Sequence, residues 1–284
     1  MPMSEPDLAH LRQWVGRRHT DADTAALRHA RLMAATVGLP PEMLQAGDAL
    51  PPLWHWIYFL EGLPASQLGP DGHAARGGFL PPVPLPNRMW AGGRVVMEAP
   101  IPIGAAMEKR SQVQSVDLKQ GRSGDLVFVT VLHEVFVGGS RCVREEHDIV
   151  YKHARPAGAP PQGEAAAEGD HQRPWQPDTT QLFRYSALTF NGHRIHYDAD
   201  YCRAVEGYAD PVVHGPLVAT MLAGFAQEVA GRPLRSFTYR GLQPALLGAP
   251  LGLHLAAGGE KMLAWCRLGN GQACMRAEAT FALN

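Results

Sequence analysis

No apolar run in this chain approaches the roughly 18 residues needed to cross a bilayer, so no membrane-spanning helix is expected. Charge of either sign is also missing in excess. Against 26 Lys and Arg stand 27 Asp and Glu, a net charge of −1, which lacks the basic surplus of a nucleic-acid binder. Cysteine is scarce: Cys142, Cys202, Cys266 and Cys274 form no CxxC pair, so neither a zinc site nor a disulfide framework is expected. The first residues have no apolar core of a secretory signal and carry acids at Glu5 and Asp7. These absences predict a cytoplasmic globular protein with free, structural thiols. Its 284 residues suffice for one large or two small domains.

Gly and Pro, by contrast, are abundant and unevenly placed. Residues 61–93 hold Gly69-Pro70, Asp71-Gly72, Gly77-Gly78 and Pro81-Pro82, a long loop anchored by Phe79, Leu80, Met89 and Trp90. Long loops inside a domain are often functional. Residues 154–178 are rich in Pro, Gly and Ala and read as a linker. It divides the chain into an N-terminal unit of 1–153 and a C-terminal unit of 179–284.

Helices are expected over 7–17 and 25–35, the second capped by Asp21 or Asp23 and ended by Gly38 and Pro40. Strand signals cover 93–100, 107–116, 126–137 and 141–151, with Gly138-Gly139 as a hairpin turn. After the linker come a strand-like start at 182–185, a strong helix over 215–230, and strands over 234–239, 251–257, 261–268 and 272–281. Helical material followed by an antiparallel meander, twice over, makes the fold class α+β.

The densest chemistry lies between 187 and 222. Asn191-Gly192-His193-Arg194-Ile195-His196 is followed by Val213-His214-Gly215-Pro216, where the long helix begins. Proline is favoured in a first helical turn. The free amides there, at the positive end of the helix dipole, suit a carbonyl oxygen that gains negative charge.

This passage resembles the MaoC-like (R)-specific enoyl-CoA hydratases and 3-hydroxyacyl-thioester dehydratases. Their signature reads approximately SGDxNPxH, followed by a VHG helix start. The family's catalytic Asp falls on Asn191, its Asn on His193 and its Pro on Arg194. The form TFNGHRIHYD is closer to a branch holding the mitochondrial-type dehydratases and the mesaconyl- or itaconyl-CoA hydratases. Similarity to that branch extends to the LPNRMWAGG run at 85–93, to 119–124 and to Glu145-Glu146.

The resemblance implies a double hotdog, two antiparallel sheets each wrapped round a central helix. The first would be a degenerate partner walling the acyl pocket through Trp90 and Met89, because it lacks an FNGHxIH run. It implies a hydro-lyase acting on a short, dicarboxylic 2-enoyl-CoA, itaconyl- or mesaconyl-CoA giving citramalyl-CoA, or the reverse. His196 would activate the water. Asn191 would orient it through its carbonyl, since an amide does not titrate. Gly215 N–H, framed by His214 at the helix start, would hold the thioester oxygen.

His193 or Asp198 is a lower-ranked second acid–base group. Arg194 is either a surface residue or a contact to CoA phosphate. Arg240 and Arg88 are each a surface arginine or a grip on a substrate carboxylate. His73, His133, His147, His171 and His254 read as structural or surface residues. No metal and no cofactor beyond substrate CoA is expected, nor any nucleic-acid or membrane partner; the chain is either a monomer or a homodimer. Two rivals stay open: a dehydratase of fatty acid metabolism acting on acyl carrier protein or longer acyl-CoA, and a thioesterase-like or non-catalytic acyl-thioester binder.

Overall fold

The computed structural model describes residues 5–121, 124–153 and 163–283. Arg122, Ser123 and the first part of the expected linker, 154–162, lie outside the described residues. Chain order runs α1 (Glu5–Arg12), β1 (Arg18–Thr24), α2 (Leu27–Thr36), β2 (Asn87–Met97), β3 (Ala106–Gly121), β4 (Gly124–Val137), β5 (Ser140–Lys152) and β6 (His171–Trp175). Then follow α3 (Thr179–Leu188), α4 (Ala199–Tyr201), α5 (Gly215–Ala230), β7 (Leu234–Gly241), β8 (Leu251–Gly258), β9 (Lys261–Leu268) and β10 (Ala273–Phe281).

These strands make one ten-stranded antiparallel sheet in the order β1-β3-β4-β5-β2-β7-β10-β9-β8-β6. The first five belong to the N-terminal half and the last five, from β7 to β6, to the C-terminal half. The seam is β2 against β7, where Gly93 faces Tyr239 and Val95 faces Phe237. The chain is a double hotdog.

The second half wraps α5. Leu217, Val218, Leu222 and Phe225 of this helix are buried on the sheet. Gly231, in the left-handed region, ends the helix and donates its N–H to Gln227 and Glu228. In the first half the place of a long helix is shared by short pieces. The 3₁₀ turn Trp54–Ile57 and α2 join the core of α5, while Leu8, Leu11, Val83 and Leu85 cover β3, β4 and β5.

Three elements differ from the sequence expectation. Residues 182–185 are helical, because Asp178 caps α3 by accepting Gln181 N–H at 2.7 Å, and Leu182, Tyr185 and Leu188 line one buried face. The expected linker contains β6, paired with β8. β1 reads RHTDADT without apolar alternation, and pairs antiparallel with β3 as an edge strand. Neither Asp21 nor Asp23 caps α2; Asp23 accepts from Phe59 N–H instead.

Leu222 is fully buried between α5 and the sheet. Leu222→Ala is expected to cost about 3 kcal/mol, the usual scale for a core cavity, measured by urea unfolding.

Candidate active site

The histidine segment is held from three sides. Val212 N–H donates to Ile195 O and Val213 N–H to Ala245 O, both at 2.8 Å. These bonds bring the start of α5 beside the turn Arg194–His196. His196 Nδ1 then lies 2.7 Å from Val212 O. A carbonyl only accepts, so Nδ1 carries the proton and Nε2 keeps its lone pair. The His196 ring stacks on His214 with centroids 3.7 Å apart. His214 is bonded through Nε2 to Ser186 Oγ of α3 at 2.8 Å, while its Nδ1 is buried without a partner among the described residues. Burial pushes the His196 imidazole down to about 4, against the opposing effect of the Val212 carbonyl. His196 is therefore neutral at pH 7, with Nε2 unengaged among the described residues.

A cavity of about 1350 Å³ opens beside this segment, between the two halves. Asn191, Gly192, Ser186 and Pro216 line it from the second half, and His73, Arg88, Trp90, Lys109, Glu145 and His147 from the first. At its edge Gly215 begins α5. A Cβ on Gly215 would stand 2.8 Å from the Trp90 ring, so only glycine lets the helix start approach this wall. Trp90 is fixed by stacking on Tyr239 at 4.4 Å. No hydrogen bond from the Gly215 N–H occurs among the described residues, as expected of a first-turn amide. Arg88 shares the Trp90 face of β2, two residues away. It reaches Tyr151 and has no carboxylate partner among the described residues.

The profile of the family described as hydroxyacyl-thioester dehydratase type 2 matches residues 53–247. The chain belongs to this family. It is 43% identical over 251 residues to a mesaconyl-C(4)-CoA hydratase of Chloroflexus aurantiacus, covering 88% of this chain and 90% of that one. A MaoC-like dehydratase from Phytophthora capsici shares the fold with a TM-score of 0.74 at 14% identity, over 98% of both chains. A Mycobacterium tuberculosis protein described as a double hotdog aligns with a TM-score of 0.56 at 12% identity, over 93% of this chain and 95% of that one. The chain is accordingly an enzyme, a hydro-lyase of the hydratase and dehydratase kind.

In this dehydratase-family site, several sequence expectations are redrawn. Asn191 lines the cavity, and one lone pair of its side-chain oxygen accepts the His193 N–H at 2.9 Å, which fixes the side chain against the turn. His214 makes no capping bond to α5; its role is to tie α5 to Ser186 and to back His196. His193, His196 and His214 sit behind the cavity wall rather than lining it, with 8% of His196 left exposed. Arg194 pairs with Asp198 and lies over the Tyr201 ring, away from the cavity. Asp198 caps α4 by accepting Tyr201 N–H and pairs with Arg194, outside the cavity lining. Arg240 is exposed on the opposite face of β7 from buried Tyr239 and does not join the site. Met89, between Arg88 and Trp90, points away from the cavity they line.

Three histidines read as structural do line the cavity: His73, His133 and His147. For His133 of β4 the signal was polarity at an inward position of an otherwise apolar strand; His73, on a loop, carries no such signal. Glu145 of β5 is buried at 4% exposure, accepts from His55 Nε2 at 2.8 Å and from Trp56 Nε1. Burial would raise its carboxyl, but the hydrogen bond and charge of His55 hold it down to about 2. His133 bonds Ser111 Oγ at 2.7 Å, and His147 Nε2 is buried without a partner among the described residues. The Lys109 ammonium lies 4.8 Å from the centre of the Phe59 ring.

Asp71, His73 and His193 are close enough in ligand atoms, within 4.8 Å of one another, to hold a cation. Both Asp71 oxygens, however, already accept from His73, one from its backbone N–H and one from Nδ1. The trio is an acid–imidazole pair facing a third ring.

Desolvation holds His133 down to about 3, His193 to about 2 and His196 to about 4. Free histidine titrates near 6.5, so the unfolded chain binds more protons below that pH. Stability is therefore complete above about pH 6.5 and falls as pH drops toward 4. Thermal melts between pH 7.5 and about 4.5 should show Tm declining, and His133→Gln should make the decline shallower.

Proposed function

We propose that this enzyme adds water across the double bond of a short dicarboxylic 2-enoyl-CoA, or removes it in reverse, with mesaconyl-, itaconyl- and citramalyl-CoA as the substrate class. The observation that carries the reading is Arg88, a cation on the cavity wall with no carboxylate partner among the described residues, beside Trp90 and across from Asn191. Arg88 is half-buried, and its guanidinium is left partly desolvated without an anion; a substrate carboxylate supplies the missing charge in a planar, two-bond geometry. The far wall adds Lys109, His133 and His147, groups that an alkyl chain would have to desolvate without compensation. The named activity of the Chloroflexus aurantiacus relative supports the same substrate class.

The chemistry follows from the second half. Water attacks C3 with one hydrogen held by His196 Nε2, the lone pair left free by the Val212 carbonyl, while an acid–base group on the same face takes the other. The π electrons move toward C2 and the thioester oxygen gains enolate charge. The Gly215 N–H, at the positive end of α5, meets that charge. Addition on one face lets a single group take the proton and return it to C2. In this reading the first half contributes the wall that selects the acyl group, and coenzyme A is part of the substrate.

A second reading, dehydration of longer 3-hydroxyacyl thioesters, is favoured by cavity size, since about 1350 Å³ exceeds what a four- or five-carbon acyl group fills. A panel of enoyl-CoAs followed at the enoyl-thioester absorbance separates the two. The dicarboxylic substrates should be hydrated faster than medium-chain enoyl-CoA; the opposite order would overturn the substrate class. His196→Ala should lower kcat by at least about 10²-fold with the fold intact. Arg88→Gln should cost the dicarboxylic substrates about 10- to 100-fold in kcat/KM and leave crotonyl-CoA nearly unchanged.

A further inference from the structure

We propose that Asp71 and His73, on the Gly/Pro loop of the first half, form the acid–base pair that takes the place of the carboxylate missing at Asn191. The proposal rests on the hydratase reading above and deepens it.

The loop is docked onto the histidine segment. Arg194 N–H donates to Asp71 O at 2.9 Å, and Arg194 Nη1 reaches Pro70 O at 3.3 Å. Gly72 sits at φ +86° with its Cα against Gly192, where any Cβ would collide with the Gly192 carbonyl oxygen. The loop closes on itself through Gly69 N–H to His73 O at 2.7 Å and Ala75 N–H to Gln67 O at 2.8 Å. The His73 ring then packs on His193 with centroids 4.0 Å apart, and His193 meets His196 edge-on at 5.5 Å. Of these three rings, the one that lines the cavity is His73, along with Asn191, Gly192, Arg88 and Trp90.

Asp71 orients that ring. Its Oδ2 accepts from His73 Nδ1 at 3.0 Å and its Oδ1 from the His73 N–H at 3.1 Å. Nδ1 therefore holds the proton, and Nε2, without a partner among the described residues, offers its lone pair. Among the described residues Asp71 is also the carboxylate that contacts the histidine cluster of His73, His193, His196 and His214. This decides where a transferred proton rests. On His196 the new charge would meet a neutral carbonyl, a neutral ring and burial. On His73 it meets an anion. Arg88 and Arg76 face the same ring and oppose protonation, as does burial, so His73 is neutral at rest, while Asp71 stays ionised. His193 and His196, also neutral, complete its surroundings.

The step balances on one carrier. As the water oxygen bonds to C3, its O–H bond breaks and the proton passes to His73 Nε2. The C2–C3 π pair becomes the enolate, whose oxygen lies at the Gly215 N–H. His73 then returns the proton to C2 on the same face and is neutral again. His196 Nε2 accepts the water's second hydrogen and aligns the attack. Asp71 is a positioning residue that steadies the transient imidazolium.

The test compares His73→Gln, Asp71→Asn, Asp71→Glu and His196→Ala with wild type on one enoyl-CoA that the wild type hydrates. His73→Gln should lose at least about 10²-fold in kcat with KM little changed. His73→Ala should regain activity with added imidazole. Asp71→Asn should lose at least about tenfold in kcat. It should also shift the acid limb of kcat/KM to lower pH, because the carboxylate that raises the His73 pKa is gone. Asp71→Glu should restore part of the loss. Variants at 71 and 73 that keep wild-type kcat and an unmoved acid limb, while His196→Ala is inactive, would overturn this pair and leave the hydratase reading standing. A wild type that hydrates no enoyl-CoA would overturn both.

Discussion

Five residue pairs between β2 and β7 hold the two halves in one sheet, and the site depends on that seam. It sets Gly92 against Arg240 and Gly93 against Tyr239. The bulge between Trp90 and Gly92, on the β5 side of the same strand, turns the chain just before the seam. Trp90 thereby comes to rest on Tyr239 and against Gly215. A wall of the first half is thus pressed against the helix start of the second. The cavity is the space that remains between them, and both halves furnish it.

Within that space the controlling quantity is desolvation. Six of the histidines near the cavity, His73, His133, His147, His193, His196 and His214, are shifted downward chiefly by burial. Neutral imidazoles are good proton acceptors but poor holders of charge in an apolar setting. The site therefore needs fixed dipoles and a few charged groups at chosen points. The Val212 carbonyl selects the His196 tautomer, the α5 terminus faces developing negative charge, and Asp71 stands where positive charge is best held. Glu145, far along the cavity, is kept ionised by His55 and Trp56.

The regular elements were legible where side chains alternate or recur with the period of their structure. α5 and strands β4, β5, β7, β8 and β9 stand within about a residue or two of the positions their periodicity predicts. β1 and β6 were not, because edge strands with polar or Pro-containing sequences take their shape from backbone pairing with a neighbour. α3 was misread from its apolar and aromatic start, although Asp178 and Gln181 carried a capping signal.

The segment holding Asn191, His193 and His196, with the Gly215 helix start after it, stood out in the sequence because a short motif keeps its residues together. Asp71 and His73 lie about 120 residues earlier in a Pro/Gly loop, where a lone histidine carries no periodic signal. Arg88 and Arg240 looked equivalent in sequence. Only pairing in the sheet put the first into the cavity and the second on the opposite, exposed face. The sequence alone determined the family, the hotdog core and the histidine segment, since these depend on local periodicity and contiguous residues. Tertiary structure decided which charges face the substrate, because burial and charge proximity are properties of residues brought together from both halves.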